Sequence, residues 1–524
     1  MSFSYRTIVS LLTVVIIASL IKLAFFALPE EERAPELSAQ EIRQDLYILL
    51  AQIEQHSAFY ALEADDITQQ LAETAALIAE QYQDIVSNDR FAAEVTKLLY
   101  RMKDPGAQVV NFEDNSGDLP LILRPVNVQW LALDTKNNPI NPDFPFITHI
   151  DGLPISKWIS ASQAYLPESA KDSQEMQLPW LKKLNLLRED LGLSIKPYVL
   201  VTLMNDDLQT QQVTIALAPK RNSKPEPIVD RDDERLAFSF DEFLTQLAKF
   251  EPEISSKPIY KLESVNTTTA RLKIDDLYAF ELDKSLQQEL IKGMEQTLLI
   301  VDLREASGFS PQLLTMLSRY QDIESDNTPL STRQAPSNIM GFAHYRRSTA
   351  FRNDYLQPLN FRPLESLGFS SPKLKILTRN LPKIDEDKFS PWFVRTKPDV
   401  EAEGNNRLVL LLGPRCRQEC EWIAYRTKTW SRVNLIGERT SGDFARQYHF
   451  TLPNSGLNVR FSTSLTYDPK GQLLSGKGTE PDISLPQNND IEWQGLVSLV
   501  KTSTSKQPTQ HELKPKLAQT HSAN

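Results

Sequence analysis

The chain has 524 residues, 41% apolar and 24% charged, with a formal net charge of −11. That length divides into two to four domains with sizeable cores, and the acidic balance excludes nucleic acid as a partner because phosphate binding needs a basic footprint. No glycine loop of a nucleotide-binding type is present, and the six histidines and two cysteines lack metal-ligand spacing, so neither cofactor nor metal is expected.

The first element is an apolar run from Ile8 to Leu28. About 21 residues at 1.5 Å rise cross a hydrocarbon layer of roughly 30 Å. Arg6 precedes the run and Glu30, Glu31 and Glu32 follow it, which predicts a single inner-membrane anchor with the bulk of the chain in the periplasm. Lys22 interrupts the run and snorkels or sits near a helix end. The alternative is a signal peptide whose short apolar region is Thr7 to Ile21, cleaved to give a secreted protein. Residues 1–36 are assigned to this segment and a short linker.

Residues 37–116 read as a helical domain of two or three packed helices. Leu46, Leu49, Leu50 and Ile53, then Leu71, Ala75 and Ile78, recur at helical spacing. Ser38 followed by Glu41 has the form of a capping box. Phe91, Val95, Leu98 and Leu99 require burial, which argues against an unpacked stalk.

From 117 to 220 short β-type runs take over, at 120–123, 128–133 and 198–203. Between them, residues 147–158 read as strand, Asp-Gly turn and helix. Residues 221–258 begin with a charged, Pro-containing linker. Strands and helices then alternate over 259–490, with a helix over Leu286 to Glu295 and buried strands at 297–303, 408–412 and 434–437, which predicts an α/β core. Residues 491–524 are a helix end followed by a polar tail of disordered composition.

Several ordered segments resemble the C-terminal processing (tail-specific) serine peptidases, in their tricorn-core-like branch. Residues 99–106 (LYRMKDPG) resemble that family's L-x-D-x-H segment, and 300–308 (IVDLREASG) resemble I-I-D-L-R-x-N-x-G-G. Residues 408–424 resemble the strand and nucleophile helix with its S-A-x-E motif. The stretches GERTSG at 437–442, LPNSGL at 452–457 and GKGTEPD at 476–482 resemble the closing turns. Residues 147–158 are similar to the I-x-G-x-P-I turn of PDZ-like modules. The resemblance spans roughly residues 37–490. It implies a ClpP/crotonase-like α/β core with an N-terminal helical domain and a PDZ-like β-rich domain.

The same resemblance implies where chemistry would reside. The family's serine lies three residues before a glutamate, here Glu421, which sets Gln418 at the nucleophile position. Its histidine follows the aspartate of the first motif by two residues, and after Asp104 that position is Gly106. The lysine of the other branch corresponds to Asp443. A carboxamide supplies neither hydroxyl nor thiol for an acyl-enzyme. Phe309 stands where a flexible glycine would let the backbone approach an oxyanion, so that hole is expected to be blocked.

Cys420, Cys416 and Ser441 are the fallback nucleophiles, with His449 or His344 as bases. A helix N-terminus activates a thiolate, whereas an oxidising compartment favours a local Cys416–Cys420 disulfide or inert thiols. Asp302, Arg304 and Trp422 read as structural, and Glu421 as a residue that caps or orients its helix. Arg415 and Arg417 form either a solvated turn or a site for an anionic group such as a chain carboxylate.

Two functions follow. One is a membrane-anchored, catalytically inactive peptidase homologue that binds a polypeptide segment or partner protein. The alternative is an active serine-type or cysteine endopeptidase with a displaced nucleophile, cleaving unstructured or C-terminal segments.

Overall fold

A computed structural model describes residues 36–110, 112, 117–126, 129–217, 262–321, 339–347, 361–363, 379–485 and 496–497. The apolar run at 8–28, the linker beginning at 221 and the polar tail after 497 lie outside the described residues. Among the described residues no helix is long and apolar enough to cross a membrane.

The centre of the chain is a six-stranded sheet whose strands lie in sequence order: Glu263–Asn266, Thr269–Lys273, Leu298–Asp302, Arg407–Leu412, Val433–Gly437 and Ile483–Ser484. The first pair is antiparallel and every later pair is parallel. Continuous apolar runs mark such strands because both faces are covered, and Leu298–Asp302 is buried at all five positions. Leu299, Val301, Leu408, Leu410 and Leu435 face one large cluster that also takes in the Lys284–Met294, Pro311–Leu317 and Glu419–Thr427 helices. Ile300, Val409, Leu411 and Ile436 face a smaller cluster on the opposite side, with Leu496 and Val497.

Among the described residues the N-terminal region contains four helices where two or three were expected, Ala39–His56, Ala58–Leu62, Ala64–Gln81 and Asn88–Tyr100. Ser38 and Glu41 form the expected capping box. Phe91, Val95, Leu98 and Leu99 are fully buried. Their cluster is completed by Leu452, Leu457, Val459 and Phe461 from far along the chain. The hairpin Gln447–Thr451/Asn458–Ser462 carries those residues, and its second strand pairs with Gln108–Val109. That pairing welds the end of the helical region to the core, with consequences for the site.

Residues 117–217 form an antiparallel sheet ordered Ile122–Val126, Gln129–Leu133, Phe146–Ile150, Tyr198–Met204, Thr210–Ala216, with helices over Ile155–Ser162, Gln174–Lys182 and Leu184–Asp190. The expected turn at Asp151–Gly152 has positive φ at both residues. The helix after it buries Trp158, whose indole N–H donates to the Ile150 carbonyl at 3.1 Å. A further antiparallel sheet packs Phe361–Pro363, Phe393–Thr396, Ile339–Tyr345 and Ser464–Tyr467 side by side. The whole is a mixed helix and sheet fold with several β-sheets.

Candidate functional site

The strand Arg407–Leu412 ends in Gly413-Pro414, and the Cys416 N–H closes a turn onto the Gly413 carbonyl at 3.0 Å. The helix Glu419–Thr427 follows at once. Between them Gln418 adopts φ +57° and ψ −111°. That is the first central conformation of a type II′ turn, ordinarily held by glycine, and strain of this kind collects at functional positions. Cys416 and Cys420 form a disulfide across the bend and are both fully buried.

Gln418 does not cap its own helix with its side chain. Its Oε1 instead accepts the backbone N–H of Gly308 at 2.6 Å. Its own N–H donates to the Asp443 carbonyl at 2.5 Å, and the Glu419 N–H donates to the Gly308 carbonyl at 3.0 Å. Gly308 has φ +100°, and a Cβ there would meet the Tyr278 ring at 2.7 Å. A side chain would therefore displace the loop that presents this N–H. Phe309, expected to obstruct an oxyanion, is buried with the Arg446 guanidinium 5.3 Å from its ring centre and does not line the cavity described below, and it is the preceding Gly308 whose N–H meets Gln418.

Gly106 lies in the turn after the helix Asn88–Tyr100. Its N–H and both hydrogen-bonding groups of Ser462 donate to the Asp104 carboxylate, at 2.9, 2.7 and 2.7 Å. A Cβ on Gly106 would fall 2.3 Å from Nε2 of Gln447 and 2.6 Å from the Ser462 hydroxyl. The space beside Gly106 is thus filled by the Gln447 amide. That amide donates in turn to Asp443 Oδ2 at 2.7 Å. Gln447 was not singled out in the sequence, because it reaches the site only through the hairpin's pairing with Gln108–Val109.

Gln418, Asp443 and the turn carrying Gly106 are therefore brought together. Gln418, Asp443, Gln447, Gly308 and Pro105 line one cavity of about 830 Å³. Phe112, Met176 and Trp180 also line it. Asp443 is 2% exposed and its Oδ1 makes no hydrogen bond among the described residues. Burial pushes its carboxyl up to about 7, with Arg417 and Arg460 opposing and Asp104 reinforcing the rise.

The fallback nucleophiles are all engaged. Ser441 is 4% exposed and its Oγ contacts the Cys416 carbonyl and Glu421 Oε1, both at 2.9 Å, while accepting the Asp443 N–H at 3.1 Å. The two sulfurs are bonded to each other. None of the three lines the cavity. His344 stacks between Phe389 and Trp392 in a different cluster, and burial lowers it to about 3. His449 lies on the strand Gln447–Thr451 but does not line the cavity.

Glu421 anchors the loop across from its helix, accepting from Thr440 Oγ1 at 2.6 Å and from the Gly442 N–H at 2.5 Å. Burial raises it to about 7 against those hydrogen bonds. Asp302 is fully buried and paired with Arg304 at 2.7 Å and Arg271 at 3.1 Å, a structural arrangement. Trp422 is fully buried, with Arg395 stacked 4.8 Å from its ring centre and paired with Glu419 at 2.5 Å. Arg415 pairs with Glu305 at 3.0 Å and lies 3.8 Å from Glu175. Arg417 turns into the cavity. Among the described residues no group of acids, histidines or cysteines could hold a metal ion.

Residues 270–485 match the sequence model of Peptidase family S41. The fold is similar to that of mature CPAF, at 16% identity with a TM-score of 0.55, covering 88% of this chain and 96% of that one. A structure of mature CPAF complexed with lactacystin gives 14% identity and a TM-score of 0.54, covering 88% and 97%. A CPAF mutant gives 16% and 0.56, covering 88% and 96%. A comparison with curated proteins found no match.

Proposed function

We propose that this chain is a tail-specific-peptidase-like protein that binds polypeptide segments without cleaving them. The observation that carries this reading is the hydrogen bond from the Gly308 N–H to Gln418 Oε1. An acyl-transfer site needs a hydroxyl or thiol beside a vacant backbone donor that receives the oxyanion. In this chain a carboxamide stands at the turn and its own oxygen occupies the donor. Gln447 fills the space beside Gly106, so the position of a histidine base is taken as well.

The cavity itself supports retention of binding. About 830 Å³ with an apolar wall and convergent polar groups is within the range of ligand sites. The antiparallel sheet unit of residues 117–217, read as PDZ-like, contributes Met176 and Trp180 to that wall. The buried disulfide and the apolar run at 8–28 support an extracytoplasmic protein held by an N-terminal anchor.

The test uses the full chain in detergent or in membranes. Fluorescence anisotropy with labelled unstructured peptides is expected to give saturable binding, with the peptides recovered intact by mass spectrometry. A fluorophosphonate or thiol-directed probe is expected to leave the protein unlabelled. Cleavage unaffected by Gln418→Ala, or labelling lost on Ser441→Ala or Cys420→Ala, would establish the active-peptidase alternative instead.

A further inference from the structure

Asp443 and Gln447 leave two buried acceptor oxygens unserved. The Gln447 amide donates to Asp443 Oδ2 at 2.7 Å. The second oxygen of each group, Asp443 Oδ1 and Gln447 Oε1, is buried with no hydrogen-bond partner among the described residues. Both residues line the cavity, and both are held in place. The Asp443 N–H donates to Ser441 Oγ at 3.1 Å, and its carbonyl accepts from the Gln418 N–H at 2.5 Å. Gln447 opens its strand in register with Ser462, whose hydroxyl donates to Asp104. The Ala445 N–H favours the charged form of Asp443 but leaves Oδ1 unserved.

Such oxygens call for donors, because a buried acceptor left unserved costs its desolvation. The donor has to be neutral. Arg417 and Arg460 line the same cavity and act on the Asp443 carboxyl, so a lysine or arginine side chain would enter against two like charges. A hydroxyl carries one hydrogen and serves one oxygen at a time. A primary carboxamide has two N–H donors on one nitrogen and a carbonyl acceptor beside them. With Asp443 ionised, its two N–H groups serve Asp443 Oδ1 and Gln447 Oε1 together. With Asp443 protonated, its carbonyl accepts from the carboxyl while one N–H still serves Gln447.

We infer that the cavity holds a subsite for a side-chain carboxamide, that of Asn or Gln, on the bound polypeptide, received by Asp443 and Gln447. The inference rests on the polypeptide-binding reading above and specifies its ligand. It also gives Gln447 a role beyond filling the space beside Gly106, since the amide that fills it presents its oxygen as one of the two acceptors.

The test measures binding of four labelled peptides to the full chain. They share one apolar-rich sequence and differ at a single internal position, which is Gln, Asn, Met or Lys. Met matches Gln in length and offers no N–H. The better of the Gln and Asn peptides is expected to bind about tenfold more tightly than the Met peptide, the factor that two neutral hydrogen bonds supply. Gln447→Met is expected to bring that ratio close to one, and Asp443→Leu carries the same test where Gln447→Met fails to fold. Asp443→Asn is expected to keep the preference, because its amide still accepts from Gln447 and turns a donor towards the ligand's carbonyl. Equal binding of the Gln, Asn and Met peptides shows that water serves the two oxygens and overturns the carboxamide subsite. Tightest binding of the Lys peptide, or a preference that persists in both Gln447→Met and Asp443→Leu, overturns it as well. Each of these results leaves the peptide-binding reading standing, whereas no binding by any peptide overturns both.

Discussion

The side-chain oxygen of Gln418 lies 2.6 Å from the backbone nitrogen of Gly308 and accepts its hydrogen bond. The backbone at Gln418 has φ +57°, a region that costs a non-glycine residue on the order of 1–3 kcal/mol. The hydrogen bond opposes that cost. Left unmade, the Gly308 donor would forfeit about 1–3 kcal/mol unless water replaced the amide. Gln418→Gly relieves the strain and loses the bond, so its stability is expected within about 1 kcal/mol of the parent. Gln418→Ala loses the bond and keeps the strain, and is expected to be less stable than Gln418→Gly by about 1 kcal/mol or more. Urea unfolding of the three proteins measures both differences. Equal stabilities for Ala and Gly would show that the turn is unstrained.

How much of this is legible in the sequence follows from the range over which each signal acts. The parallel strands were readable because double-sided burial leaves continuous apolar runs, as at 298–302 and 408–412. Gln418 and Asp443, expected from short motifs, fall on one cavity beside the turn that carries Gly106. Gln447 was not legible, since its role depends on a hairpin pairing with Gln108–Val109 more than 300 residues earlier. The positive φ of Gly308 that presents its N–H to Gln418 was not legible, because motif matching carries no information about φ. Arg460 carried no local motif, and it meets Arg417 at Gln108 only through the folded chain.

Gln447 occupies the space that a side chain at residue 106 would need. A Cβ there comes within 2.3 Å of Gln447 Nε2 and 2.6 Å of Ser462 Oγ. Gly106→Ala is expected to destabilise the fold by about 1–3 kcal/mol through overpacking. In a Gln447→Ala background that penalty should fall by about 1 kcal/mol, the coupling of residues in contact. A double-mutant cycle by thermal or chemical unfolding checks this. It also predicts that Gly106→His cannot be accommodated before Gln447 is shortened, so any attempt to rebuild a base must change both residues.

The disulfide between Cys416 and Cys420 ties the two sides of the Gln418 turn. A loop of about five residues gains on the order of 2 kcal/mol from cross-linking in the chain-entropy account. The double variant Cys416→Ser, Cys420→Ser is expected to lose that amount and somewhat more, because both positions are fully buried and serine brings a hydroxyl into the core. Unfolding under non-reducing conditions compares the two proteins. No loss of stability would mean that the turn is held by its hydrogen bonds alone.

The buried carboxyl of Asp443 predicts how stability depends on pH. Burial raises it from its ordinary value of 3.8 to about 7, so between those values the folded chain holds a proton that the unfolded chain has released. Its stabilising contribution is therefore complete below about pH 4 and is lost as pH rises through about 7. Glu421, raised by burial to about 7 from 4.5, acts in the same direction. His344 acts oppositely: burial lowers it to about 3, so its contribution is present above about 6.5 and is lost as pH falls towards 3. Asp443→Asn isolates one of these effects, because the amide oxygen still accepts from Gln447 while the titration disappears. Between pH 5 and 7 the parent is expected to lose stability relative to Asp443→Asn, with a limiting slope of about 1.4 kcal/mol per pH unit. Parallel stability curves for the two proteins across that window would show that Asp443 is ionised in the folded chain, with its charge compensated by Arg417 and Arg460.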